Sequence, residues 1–376
     1  MVTTRFIHTA DWQLGLGRVF LAGEAQHRYA QDRLDAVAAI GRLASEADAA
    51  FVVVAGDVFE DHRVDARTVR RALDVLGDFA VPVLLLPGNH DPLDAASVYR
   101  TPVFTQHRPD HVVVLDGSAA AVAPGVQVCG VPWPSKRPGT DLVAATLARL
   151  GPADGHLRVL VAHGAYEGVV YDGGAPATIA RQPLERALAE GRVHYAALGD
   201  RHSATLLGER IAYSGTPEVT RFTEERPGRA LVVELSERRC RVEERRVGRW
   251  SFASESRELC GDDDVRLLGK WLDEIEDKPR TVVRLGLRGQ LSLRDHVALD
   301  EVLDTARDRF AAVVSWEAQT DLSVLPDEAD RVMPDLQGYP RRAAQRLLQV
   351  AEGDGEKAPA ARDALILLHR LARSGA

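Results

Sequence analysis

No apolar run in this sequence approaches the ~20 residues that a helix needs to cross a bilayer. The N-terminus passes almost at once into "RFIHTA", without the basic region and apolar stretch of a secretory signal. A cytoplasmic location and no membrane partner are therefore expected. Cysteine is scarce. Cys129, Cys240 and Cys260 are odd in number and far apart, which excludes a disulfide framework and a thiolate zinc pattern and suits a reducing compartment. They read as core fillers. Lysine is scarce beside arginine, 4 Lys against 43 Arg, a skew that a GC-rich genome explains as readily as phosphate recognition does. A net charge of −8 argues against a protein wrapped in nucleic acid, while a local basic groove stays compatible with it. The Walker pattern GxxxxGK[ST] is missing, so ATP hydrolysis is not expected of this chain. No Ser-His-Asp or catalytic-cysteine arrangement stands out.

What is present is an ordinary folded composition, 45% hydrophobic and 27% charged, in 376 residues, long enough for two or three domains. Up to about residue 250, short β-branched or Leu-rich runs alternate with helical stretches such as 26–45 and 66–77. The runs are "RFIHTA", "FVVVAGD", "VPVLLLPGNHD", "VQVCGV", "RVLVAHG" and "HYAALGD". Each reads as a buried strand closing in a polar loop, and the alternation predicts an α/β sandwich. The pattern changes near Glu255. A helix over 262–277, a strand "TVVRLGLRG", a helix over 293–310 and a strand "AAVVSWEA" form a compact α-β-α-β unit. A loop around Pro326 and Pro334 leads to two amphipathic segments. Ala344, Leu347, Leu348 and Ala351 make one stripe, and Ala361, Ala364, Leu365, Leu368, Leu371 and Ala372 the other, with "EGDGEKAP" as a hinge. The expected domains are 1–255, 256–325 and a helical partner-docking segment 326–376. "RRCRVEERR" over 238–246 reads as a solvated strand or hairpin.

Five successive strand ends carry donors of metal-ligand type. They are Asp11 and Gln13; Asp57; Asn89, His90 and Asp91; His163; and Asp200 and His202. Each alone is weak, since a Gly-Asp pair is often a turn and a strand-end histidine often an ordinary hydrogen-bonder. Their conjunction is specific. Mixed carboxylate, amide and imidazole donors suit two divalent ions, Mn²⁺ first, with Fe²⁺, Zn²⁺ or Mg²⁺ as alternatives. Two such ions ~3.5–4 Å apart can activate water and stabilise the entering and leaving oxygens of a phosphoester. Bringing two cations that close needs a bridging carboxylate, for which Asp57 is the candidate. His8 reads as a core histidine or a support for a ligand. His62 follows "GDVFED" closely enough to be a weak candidate for touching substrate.

In this order "D-x-Q", "GD", "GNHD", "HG" and "G-D-x-H" resemble the calcineurin-like metallophosphoesterases. "FIHTADWQLG", "GDVFED", "GNHDP" and "YSGTPE" resemble more narrowly the SbcD-type nucleases, relatives of the archaeal and eukaryotic double-strand-break repair nuclease. The resemblance covers about residues 4–235. It implies a two-sheet metallophosphoesterase sandwich with a small capping domain, into which the α-β-α-β unit fits by position, and C-terminal helices. It implies an Mn²⁺-dependent DNA exonuclease/endonuclease working with an SMC-like, SbcC-type ATPase, and a homodimer. Asp11, Gln13, Asp57 and His202 would hold the first metal, and Asp57, Asn89, His163 and Asp200 the second. His90 would act on the scissile phosphate, oriented by Asp91; a helix N-cap is the competing reading of Asp91. The family has His at the positions of Gln13 and Asp200. Both replacements keep a donor atom, which favours a retuned site over a lost one. The alternatives are a phosphoesterase for nucleotides or small phosphoesters, and a catalytically weakened DNA-end-binding subunit.

Overall fold

The computed structural model describes residues 2–169, 178–324, 339–353, 355 and 357–374. The chain divides into two compact units, Met1–Trp250 and Ser251–Ala376. Among the described residues no helix is long and apolar enough to cross a membrane.

The first unit holds two six-stranded sheets. One runs in the order Cys240–Arg246, Arg229–Ser236, Thr3–Thr9, Phe51–Val54, Val83–Leu85, Val112–Val114. Its last four strands are parallel, while Arg229–Ser236 pairs antiparallel with both neighbours. The other runs Thr205–Leu206, Ile211–Tyr213, Tyr195–Gly199, Leu157–His163, Val126–Gly130, Ala119–Ala123, with parallel pairing at its centre and antiparallel edges. Strand periodicity explains the layering, because successive side chains face opposite sides. Phe6, Phe51, Val53 and Leu84 of the first sheet share a core with Val128, Val159, Val161, Tyr195 and Ala197 of the second. The alternate residues Ile7, Val52 and Val54 pack under Val37, Ile40, Leu73 and Leu76 of the helices Gly23–Glu46 and Ala66–Gly77. Leu160, Ala162, Ala196 and Leu198 pack under Leu147, Leu184 and Ala187 of Leu142–Arg149 and Arg181–Ala189. The result is a sandwich of two sheets between helices, with strands apolar on both faces, as the runs "FVVV" and "RVLVAH" demand. The arginine-rich segment after 238 is the solvated edge strand Cys240–Arg246.

In the second unit the strand Thr281–Leu291 lies parallel to Ser251–Leu259 on one side and to Ala312–Ser315 and Asp321–Val324 on the other. Helices Asp262–Glu274 and Leu293–Arg309 cover one face, burying Val265, Leu268 and Leu272 against Val283, Leu285 and Leu287. The structure thus adds two strands, Ser251–Leu259 and Asp321–Val324, to the expected α-β-α-β pattern. Both are polar and alternate between covered and exposed residues, so no apolar run announces them. Pairing of Ser251–Leu259 with Thr281–Leu291 draws the chain into this unit directly after Trp250. The loop around Pro326 and Pro334 lies outside the described residues. Helices Tyr339–Ala351 and Ala358–Ser374 follow it, and Ala344, Leu348, Ala351, Ala361 and Leu365 share a core with Leu293.

Candidate metal centre

Strands Thr3–Thr9, Phe51–Val54, Val83–Leu85, Leu157–His163 and Tyr195–Gly199 deliver their polar turns to one edge of the sandwich, the side on which α/β sheets usually place their chemistry. The backbone there is unusual. Asp11 (φ 54°), Gln13 (φ 44°), Asp57 (φ 53°) and Asp200 (φ 96°) are all left-handed, a conformation that costs a non-glycine residue roughly 1–2 kcal/mol. Hydrogen bonds between turns hold them. Asp11 N donates to Gly56 O (3.0 Å), Gln13 N to Asp57 O (2.9 Å) and Ala55 N to Thr9 O (2.8 Å). Asp200 N donates to both carboxylate oxygens of Asp11, 3.1 Å each. The glycines of "GD" and "GNHD" are steric necessities. A Cβ on Gly56, itself at φ +98°, would lie 2.1 Å from Nδ1 of His163, and one on Gly88 would lie 2.1 Å from Oδ1 of Asp57.

Asp11, Asp57 and His163, all buried, each offer one ligand atom within 4.8 Å of the other two. Nε2 of His163 lies 2.8 Å from Oδ1 of Asn89, 3.4 Å from Oδ2 of Asp57 and 3.7 Å from Oδ1 of Asp200. Nε2 of His202 is 3.9 Å from Asp11 Oδ1 and 3.5 Å from the side-chain amide of Gln13. Nε2 of His90 is 3.9 Å from Asp57 Oδ2, and its backbone N–H donates to Asp57 Oδ1 at 3.0 Å.

Asp91 sits elsewhere. Its buried carboxylate accepts from Gly88 N (2.9 Å), Phe59 N (3.0 Å) and Tyr99 OH (2.6 Å), bracing the "GD" and "GNHD" turns against each other. Among the described residues it caps no helix, and its hydrogen bonds do not include the His90 ring, whose Nδ1 is 2.7 Å from the carbonyl oxygen of Glu60. His8 lies within the core, bonded to Tyr195 OH and Leu198 O, and His62 pairs with Asp61 at 3.1 Å. Three participants are not marked by any strand-end motif. Glu224 Oε1 and Thr220 Oγ1 lie 2.8 and 2.7 Å from His202 Nδ1. Their spacing, four residues apart just after "YSGTPE", was the available signal. Glu60 had only its place in "GDVFED".

The donor set calls for cations. Ala55 O, 2.8 Å from Nδ1 of His163, fixes a proton there, leaving Nε2 aimed among carboxylate and amide oxygens. That cluster is favourable only with positive charge at its centre, a proton on Nε2 or a metal ion in its place. His202 is arranged alike, its Nδ1 donating to Glu224 and its Nε2 turned toward Asp11. Among the described residues no Lys or Arg forms an ion pair with Asp11, Asp57 or Asp200; histidines alone do. Burial pushes Asp11 up to about 6, against the pull of His202 and His163. Burial also raises Asp57, but the charges and hydrogen bonds of His163 and His90 outweigh it and hold that carboxyl at about 2. Both His163 and His202 are driven toward the charged form despite burial, His163 chiefly by Asp57 and His202 by Glu224. A largely buried set of carboxylates that draws protons onto two imidazoles suits hard divalent ions.

Residues 4–202 match the calcineurin-like phosphoesterases. The chain is 30% identical over 303 residues to the DNA double-strand break repair protein Mre11 of Haloferax volcanii, covering 76% of this chain and 62% of that protein. It is 36% identical over 90 residues to Mre11 of Archaeoglobus fulgidus, covering 23% of this chain and 19% of that protein. The chain thus spans less than two thirds of the length of these curated relatives. Protein TT1561 of Thermus thermophilus aligns in structure at 12% identity with a TM-score of 0.43, over 65% of this chain and 100% of that one. With more than half of its length matching the family, the protein belongs to the calcineurin-like phosphoesterases.

Proposed function

We propose that the protein is a DNA nuclease that hydrolyses phosphodiesters with two divalent ions, Mn²⁺ foremost, as the nuclease subunit working with an SMC-like, SbcC-type ATPase in double-strand-break repair. One observation carries this reading. Asp57, Asn89 and Asp200 gather around Nε2 of His163, and Asp11 and Gln13 around Nε2 of His202, with Asp11, Asp57 and His163 close together. The 30% identity to the Haloferax repair protein points the phosphoesterase toward DNA. Calcineurin-like phosphoesterases use a dinuclear metal site. Here Asp11, Gln13, Asp57 and His202 would hold one ion and Asp57, Asn89, His163 and Asp200 the other.

Bound there, the pair would supply Lewis-acid activation of water and offset charge on the phosphate oxygens. The chain's own groups do the rest. Glu60 O takes the proton side of the His90 ring, leaving Nε2 at the half-exposed edge. From there it meets the phosphate and, when protonated, gives its proton to the leaving oxygen. Asp57 Oδ1, accepting the His90 N–H, sets the ring's place. Asp91, Tyr99 and Phe59 keep the two turns in register.

The C-terminal helices are the proposed ATPase-docking element. Leu365 and Leu348 face their own chain, while Leu367 (58% exposed) and Tyr339 (79%) remain open on other faces of the pair. The deciding assay uses labelled linear duplex and hairpin DNA with Mn²⁺, with and without the coiled-coil ATPase. Metal-dependent cleavage that the ATPase stimulates is expected. Turnover of nucleotides or small phosphoesters with DNA left intact would overturn the nuclease reading. DNA-end binding without hydrolysis would mark a weakened subunit.

A further inference from the structure

Helix Gly23–Glu46 turns an unusual stripe toward the core. Tyr29, Asp32 and Arg33, one face at i, i+3, i+4, are all buried, with Arg33 only 2% exposed. Among the described residues Arg33 has no carboxylate ion pair. One of its NH groups donates to the backbone carbonyl of Trp12, and the other reaches Tyr29 OH (3.0 Å) and Glu218 O (3.3 Å). Among the described residues its Nε has no hydrogen-bond partner. Burying a guanidinium on carbonyls, with a donor left unmet, is costly. A merely apolar core would not need it.

Trp12 is the residue between Asp11 and Gln13, both left-handed and both proposed to ligate. Arg33 therefore grips the middle of a strained turn whose two flanks carry ligands. Thr216 Oγ1 holds the same turn through Asp11 O at 2.9 Å. The cluster has a far end. Asp32 Oδ2 accepts from the Trp250 indole N–H at 2.9 Å, and Trp250 stands edge-on to Tyr29 at 5.0 Å. Glu218 Oε1 accepts from Trp250 N at 2.7 Å, and its carboxylate also takes Arg249 N. Gly248 lets the chain pass: a Cβ there would lie 2.3 Å from Pro217 O. Trp250 is the last residue of the first unit, and the strand Ser251–Leu259 of the second follows at once.

We propose that Arg33 is a positioning residue for the Asp11–Gln13 turn, and that the seating of Trp250 on Asp32 and Glu218 sets Arg33, linking metal retention to the segment that leads into the second unit. This rests on the metal reading of the site. The link runs from Trp250 through the Tyr29 ring and Glu218 to the Arg33 guanidinium, which meets the Tyr29 hydroxyl and the Glu218 carbonyl.

The test is Mn²⁺ binding to the full chain, followed by electron paramagnetic resonance alongside thermal melting. Wild type, Arg33→Met, Arg33→Lys and Trp250→Phe are compared. Wild type is expected to bind Mn²⁺; if it binds none, the metal reading itself fails, and wild type alone reveals that. Arg33→Met is expected to weaken Mn²⁺ binding by ~10–100-fold, as loss of a ligand's support does. Arg33→Lys should recover part of it. Trp250→Phe keeps an aromatic ring but loses the indole N–H that Asp32 accepts, with part of the indole's volume, and should weaken binding by at least roughly 2–10-fold, what one buried hydrogen bond is worth. Lower melting temperatures with unchanged Mn²⁺ affinity would make the cluster structural only and overturn the proposal. Should Arg33→Met fail to fold, the other two variants decide by the same criterion.

Discussion

His163 turns its Nε2 onto the amide oxygen of Asn89. Its Nδ1 is committed to Ala55 O at 2.8 Å, and its Nε2 lies 2.8 Å from Asn89 Oδ1 with the Asp57 carboxylate 3.4 Å away. Asn89 Oδ1 and the Asp57 carboxylate both accept, so positive charge belongs at that Nε2. Despite burial, Asp57 drives His163 toward the charged form, so a proton supplies it in the metal-free protein, and a divalent ion would displace that proton and take its place.

Asp57→Asn removes the charge that would bridge two ions while keeping an oxygen to accept from His90 N. Cleavage should be abolished, with far-UV circular dichroism unchanged. Nuclease activity close to wild type would end the two-metal reading.

His90→Asn separates ligation from proton transfer. If the ring acts on the phosphate, the variant keeps its metal content and loses ~10²–10⁴-fold in turnover. Metal analysis decides the matter, for loss of metal together with activity would place His90 among the ligands.

Gln13 is the weakest proposed donor, neutral and 3.5 Å from His202 Nε2. Gln13→His should lower the Mn²⁺ concentration needed for activity, and Gln13→Ala should raise it and cut the rate. Three coincident Mn²⁺ titration curves would show that Gln13 only shapes its turn.

His8 predicts an acid sensitivity in the metal-free protein. Burial pushes its pKa from 6.5 down to about 3, against the help of Leu198 O. The folded state therefore keeps the ring neutral where the unfolded state charges it. The contribution is intact above pH 6.5 and is lost as pH falls from there toward 3, at about 1 kcal/mol per unit. Melting curves from pH 7.5 to 5 should fall less steeply for His8→Asn than for wild type. Parallel slopes would refute the assignment.

The strands and strand-end donors were legible because both obey local rules, apolar runs of fixed length stopped by Gly-Asp or Gly-Asn. Ser251–Leu259 was not, since a strand covered on one face needs few apolar residues and "SFASESREL" offers few. Nor could the sequence say that Asp91 turns away from its neighbour His90 toward Phe59 and Tyr99, contacts 32 and 8 residues distant along the chain. The C-terminal stripe was readable as apolar, but its use of Leu293 as a partner was not, because periodicity names a face and not what covers it.

The left-handed turns at Asp11, Gln13, Asp57 and Asp200 are tied to one another through main-chain atoms or a single carboxylate. Where each donor begins is thus decided by the frame, and what it offers by one codon. Ion preference then becomes a heritable trait that can drift independently of the fold. A lineage could exchange a soft imidazole for a neutral amide at 13 and a hard carboxylate at 200, tracking the metals its cell supplies, without moving a strand.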